Sequence, residues 1–231
     1  MQTEVLDRLD DEVQKAEFRD HLNGLELTQM GKENLESVLN AEIPKQRDWA
    51  AGEALAEAFL IKMRGIIIPW NMGRDKRNPH ASLPGADLIG FLPVKGGFCF
   101  ALGEVKTSSE ERSPPQVMSS LITQIDKLAF HMTTINQIIQ WLYARVKCEQ
   151  NQKHQEIFDS CCKSYFSSSN RRVALFGILI RDTEPDERDL VAGGKKLRDK
   201  LAPPTQCDLV ALYIPLKKSQ LVESIRQGGS P

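Results

Sequence analysis

The chain has 231 residues and a mass of 26.0 kDa, room for one well-buried domain or two small ones. Apolar residues make up 41% and charged residues 26%, the globular norm, which excludes a disordered or fibrous chain. Thirty Lys and Arg against 31 Asp and Glu leave a net charge of −1, so bulk charge draws the chain to neither nucleic acid nor membrane.

Residues 3–22 and 31–41 read as short polar helices, and residues 1–45 as an N-terminal helical segment ahead of a domain spanning 46–231. The first 20 residues carry seven acids and three bases. Met1 opens this acidic stretch rather than the basic-then-apolar pattern of a signal peptide. A stronger helix is expected from Asp48 to Arg64, stopped by Gly65. Ile66-Ile67-Ile68-Pro69 has strand character, and 71–84 is a loop carrying Arg74, Lys76, Arg77 and His80. Two strands, Ala86–Val94 and Phe98–Lys106, are joined through Lys95-Gly96-Gly97. Next, Val117, Leu121, Ile125, Leu128, Met132, Ile135, Ile139 and Leu142 repeat at spacings of four and three, predicting one long helix packed along a sheet. A helix near 153–166, a buried strand Val173–Ile180, a helix near 187–201, a strand Leu209–Ile214 and a last helix 216–226 complete the chain. This order predicts an α/β domain with a mixed β-sheet flanked by helices.

No stretch approaches the roughly 20 apolar residues of a membrane span. The five cysteines are odd in number and form no C-x-x-C pair, which points to a reducing compartment and away from a zinc site. A soluble cytoplasmic protein with no membrane partner is the expectation.

The segment that carries chemistry is Pro84-Gly85-Ala86-Asp87 followed by Glu104-Val105-Lys106. Two apart on a strand, Glu104 and Lys106 share a face while Val105 points the other way. A Lys95-Gly96 turn sets Asp87 directly across from Glu104, and a Gly96-Gly97 turn sets it across from Lys106. Either register gathers the three on one face, whereas a three-residue turn would not. Adjacent carboxylates repel, so either one protonates or a cation sits with them. Lys106 is one candidate cation and a divalent metal the other; carboxylate oxygens without His or Cys favour Mg²⁺ or Mn²⁺. The E-x-K triplet alone carries no weight, since composition predicts about two in such a chain. Its context matters: a strand end, a partner Asp opening the preceding strand, and an upstream helix bearing Glu53 and Glu57.

That arrangement resembles the PD-(D/E)XK nuclease superfamily, with its restriction-endonuclease-like core, over roughly residues 48–130. One departure is Ala86-Asp87 in place of Pro-Asp, with Pro84 displaced. The resemblance implies a metal held by Asp87, Glu104, the Val105 carbonyl and Glu57, with catalysis by Asp87, Glu104, Lys106 and Glu57. Glu53 and Glu57 share a helical face, and spacing does not choose between them, although Glu57 is preferred. A solvated glutamate pair is the plain alternative. The resemblance further implies DNA contacts from Gln124 and Lys127 on the following helix and from Arg74, Lys76 and Arg77, though for Gln124 and Lys127 the plain polar side of a helix is the alternative. Trp49 and Trp70 could stack on bases or pack in the core.

No G-x-x-x-x-G-K-[ST] loop occurs, so any ATPase must be a separate chain. On core motif and chain size only, the sequence resembles the nuclease subunit of Hachiman-type anti-phage systems, which implies a helicase-like partner. A homodimeric type II restriction endonuclease and a non-catalytic nucleic-acid-binding or interaction module are the alternatives. The acidic N-terminus suggests a cover for the basic loop, with a solvated helix as the alternative.

Overall fold

The structure, a computed structural model, describes residues 2–10, 12–39, 48–70, 85–148 and 151–227. Its centre is a sheet of four strands in sequence order. Leu88–Val94 (β1) and Gly97–Ser108 (β2) pair antiparallel around the two-residue turn Lys95-Gly96. Gly96 sits at φ +87°, a left-handed conformation that a side chain would disfavour. β2 then runs parallel to Val173–Arg181 (β3), and β3 parallel to Gln206–Tyr213 (β4). β3 is buried from end to end, and its nearly unbroken apolar run is what a strand covered on both faces requires. The sheet is therefore mixed, as the alternation of elements predicts. The strand expected at Ile66–Pro69 is a single antiparallel bridge, Ile67 to Phe91, at the β1 edge. Gly90 makes that approach possible: a Cβ there would lie 2.8 Å from the Ile67 carbonyl oxygen.

Helix α4 (Asp48–Arg64) covers one face of the sheet. Position 52 of α4 faces the Thr107 and Ile180 side chains, and Ala56 and Leu60 enter the main core. The other side of α4 is equally small-residued. Ala51, Ala54 and Ala58 receive Val5 and Leu9 of α1 (Gln2–Asp10) and Leu221 and Ile225 of α9 (Leu221–Arg226). Gly65, at φ +66°, ends α4 where expected, its N–H bonded to the Ile61 carbonyl. The helix expected over 3–22 is divided into α1 and α2 (Glu12–Asn23), and α3 spans Gln29–Leu39.

The opposite face carries α5 (Val117–Phe130). Gly177 in β3 faces it, with Leu121 and Ile125 at ordinary contact distance, and a Cβ there would lie 2.5 Å from the Leu209 side chain of β4. The single long helix expected over 117–142 is instead two, α5 and α6 (Met132–Cys148), separated at His131, whose backbone is extended at φ −88°, ψ 100°. Met132, a member of the expected stripe, is 55% exposed, whereas Ile135, Ile138, Leu142 and Val146 are buried. Beyond the break α6 packs on α5 and α7, and its Trp141 meets Trp70 edge to face at 5.3 Å. Helix α7 (Gln152–Ser167) packs on β2, with Phe158 and Tyr165 against Phe100. Helix α8 (Arg188–Arg198) lies against α5 and β4. Among the described residues, no helix is long and apolar enough to cross a membrane.

Candidate active site

The hairpin register decides where the charged residues fall. Leu88 pairs with Gly103, the last step of the ladder, and the N–H of the preceding Asp87 donates to that same Gly103 carbonyl at 3.0 Å. Asp87 thus stands at the end of the ladder beside Glu104, in the hairpin register that a Lys95-Gly96 turn sets. Thr107 faces α4, so by strand alternation Glu104 and Lys106 project from the α5 face. The structure thus brings Asp87, Glu104 and Lys106 together.

Their contacts are specific. Asp87 Oδ2 accepts a hydrogen bond from the Val105 N–H at 2.9 Å, which fixes the carboxylate to the strand bearing its two partners. Lys106 Nζ lies 3.4 Å from Glu104 Oε2 and 3.8 Å from Asp87 Oδ2. Glu104 is only 3% exposed, while the Asp87 and Lys106 side chains keep 25% and 21% of their surface. The trio is therefore a buried carboxyl with two half-open neighbours. Burial pushes the Glu104 carboxyl up to about 8, reinforced by the Asp87 charge and by a hydrogen bond shared with Asp87; Lys106 opposes the rise without cancelling it. At neutral pH Glu104 holds a proton, and the two carboxyls are joined through it.

The other expected residues are distributed as follows. Glu57 is buried on α4, on the Val105 and Thr107 side of the sheet, and its Oε2 lies 3.6 Å from Arg8 Nη1. The same guanidinium donates to the Trp70 carbonyl at 2.7 Å and the Ile68 carbonyl at 3.0 Å. Glu53 is half-buried on the same helix. Gln124 is half-buried on the flank of α5 turned away from α8, and its Oε1 accepts from Ser120 Oγ at 3.5 Å. Lys127 is exposed one turn further on. Trp70 is a core residue, its indole N–H donating to the Ile89 carbonyl at 3.0 Å. Arg74, Lys76, Arg77 and His80 lie outside the described residues, as does the side chain of Trp49.

Two polar assemblies escape sequence reasoning. One is the Arg8 clamp just described, which ties α1 to α4 and to the segment leading away from Ile68. The other is fully buried beneath the loop that follows β2. Arg181 Nη1 lies 2.6 Å from both oxygens of Asp189 and 3.2 Å from Ser113 Oγ. Its Nη2 donates to the carbonyls of Glu110 and Arg112. The Tyr213 hydroxyl completes the network, donating to Asp189 Oδ2 at 2.8 Å. Partners 8, 24 and 68 positions apart form no local spacing that a sequence would reveal.

Among the described residues, no three His, Cys, Asp or Glu side chains gather as a metal-binding group. Asp87 and Glu104 are a pair, and the chemistry of that pair suits a hard cation: two carboxyls that a shared proton now reconciles are donors that a divalent ion could hold in its place. The chain matches no protein-family model, and no curated protein matches it.

Proposed function

We propose that the protein is a Mg²⁺- or Mn²⁺-dependent DNA nuclease with a restriction-endonuclease-like core of the PD-(D/E)XK type. The observation that carries this reading is the trio itself: the Asp87 carboxylate accepts from the Val105 N–H, between Glu104 and Lys106, and the Lys106 amine lies within 4 Å of both carboxyls. Asp87, Glu104 and the Val105 carbonyl would hold the ion. When bound, the metal would lower the cost of making a hydroxide nucleophile and neutralise charge on the scissile phosphate. Glu104 must first give up its proton. With an ion held between the carboxylates their pull on Lys106 would weaken, and its ammonium would be presented to the phosphate oxygens as negative charge develops. The Val105 N–H keeps Asp87 oriented throughout.

This nuclease acts with a separate helicase-like ATPase, as the nuclease effector of a bacterial anti-phage complex. The basis is the resemblance of core motif and chain size to the nuclease subunit of Hachiman-type systems, with a net charge of −1 that gives little autonomous pull on DNA. One observation favours a second reading, a non-catalytic module: Lys106 already serves both carboxyls, so the trio is self-sufficient without a metal.

Calorimetric titration with Mg²⁺ and Mn²⁺ separates the two. The nuclease reading expects binding that is lost in Asp87→Ala and that tightens from pH 6 to pH 8 as Glu104 deprotonates. Cleavage should then disappear in Glu104→Gln and Lys106→Ala while circular dichroism shows both variants folded. No binding at millimolar concentrations of either ion establishes the second reading.

A further inference from the structure

The β1–β2 turn lies at the other end of β2 from the trio, about 25 Å away at the strand rise of roughly 3.3 Å per residue. Two adjoining cavities open there, of about 650 Å³ and 360 Å³, sharing Val94, Lys95 and Arg172. The larger runs between the hairpin and α7; the smaller continues toward the start of β4. Lys95, Lys163 and Arg172 line this groove, and among the described residues none of their side chains makes an ion pair or hydrogen bond. Ser164 and Ser167 add hydroxyls from the same face of α7. Glu156 and Asp159 also line it, so three cations stand against two acids, and Glu156 is already engaged by Gln152 at 3.2 Å.

Next to Lys163 on the α7 surface, three residues on, Phe166 is 57% exposed, its ring leaning on Tyr165 at 5.5 Å. Asn170, in the turn that follows α7, meets Met132, which brings the exposed Phe130 and Met132 of the α5–α6 junction to the same end of the molecule. Unpaired cations along a groove, with aromatic faces open beside it, are the combination that holds a single strand: the cations follow the phosphates and the rings stack on bases.

We infer that the groove between the β1–β2 turn and α7 binds the phosphodiester backbone of single-stranded nucleic acid, with Phe166 as a stacking platform. The inference rests on the nuclease reading for the identity of the polymer, and it gives the substrate an attachment remote from the trio. A groove of this size, with cations from three elements, holds the strand without reading its sequence.

The test is fluorescence anisotropy of labelled (dT)20 in EDTA, where no cleavage occurs. Wild type should bind at low salt. Lys95→Glu with Arg172→Glu should weaken binding at least tenfold and lower the salt slope by about 1.4, two phosphate contacts at roughly 0.7 each. Phe166→Ala should cost roughly tenfold. Both variants alter exposed side chains, and unchanged melting temperatures verify their folding. Failure of wild type to bind, or equal binding by the double variant, overturns the groove while leaving metal binding at Asp87 as the separate measure of the nuclease reading. Displacement of (dT)20 by a 20-residue polyglutamate at equal concentration also overturns it, assigning the groove to an acidic protein partner.

Discussion

At Glu104 the energetic conflict of the site is concentrated in one proton. The unfolded chain loses this proton near pH 4.5, the folded chain near pH 8, so between those values the folded state binds more protons. Stability due to Glu104 is therefore fully present below about pH 4.5 and is lost as pH rises toward 8. Glu104→Gln keeps a donor to Asp87 and removes the titration. Its melting temperature relative to wild type should climb by several degrees between pH 5 and pH 8, at about 2–4 °C per kcal/mol for a chain of this size, then level off. Scanning fluorimetry at constant ionic strength measures this, and a gap independent of pH would show that Glu104 titrates normally. Asp189 supplies a second expectation at this scale. Its pair with Arg181 is wholly buried, so Asp189→Asn leaves a guanidinium without its counter-charge and should cost about 3–5 kcal/mol by urea unfolding.

Among the elements, the hairpin does the positioning. Its two-residue turn sets a register in which a slip of one residue would send Asp87 to the α4 face, away from Glu104. The β1 edge is held by the Ile67–Phe91 bridge, with N···O distances of 2.8 and 2.9 Å. Gly90→Ala places a methyl group 2.8 Å from the Ile67 carbonyl and 2.9 Å from the Ile66 and Ile68 side chains. Backbone must shift to admit it, at a cost of about 1–3 kcal/mol, and the bridge should open. Hydrogen exchange reports this directly: the amides of Ile67 and Phe91 should lose protection in Gly90→Ala, and retained protection contradicts the tight approach.

Across the whole molecule, the two ends of the chain meet on α4. Val5 and Leu9 from α1 and Leu221 and Ile225 from α9 share one apolar cluster with the alanines of α4. Deleting residues 1–20 would therefore remove core as well as acidic charge, and a gain of nuclease activity in that variant would not isolate a covering role. Charge-neutralising changes on exposed positions such as Glu17 and Asp20 provide the cleaner comparison. Arg8 is the polar counterpart of this packing. Arg8→Ala should destabilise by about 2 kcal/mol, since it removes bonds to two carbonyls and the cation beside a buried Glu57. The loss should be smaller when made in a Glu57→Gln background, and a double-mutant cycle measures that coupling.

The class of fold was legible in the sequence because it depends on local periodicity. Strand-length apolar runs alternating with amphipathic stretches read directly as an α/β chain with a mixed sheet, and Gly65 marked the end of α4. The convergence of Asp87, Glu104 and Lys106 was also legible, since hairpin pairing follows from two strands and a short turn, although the choice between two registers was not. Elsewhere, packing between distant segments decided. The helix after β2 breaks at His131 without Gly or Pro, and the redirected α6 sets Trp141 against Trp70, a contact between residues far apart in the chain. Arg8 reaches Glu57 and Arg181 reaches Ser113 only after α1 and α8 have docked. The proton on Glu104 likewise has no counterpart in the sequence: it exists because α5 and the hairpin together exclude water from that carboxyl, and burial is a property of the assembled chain.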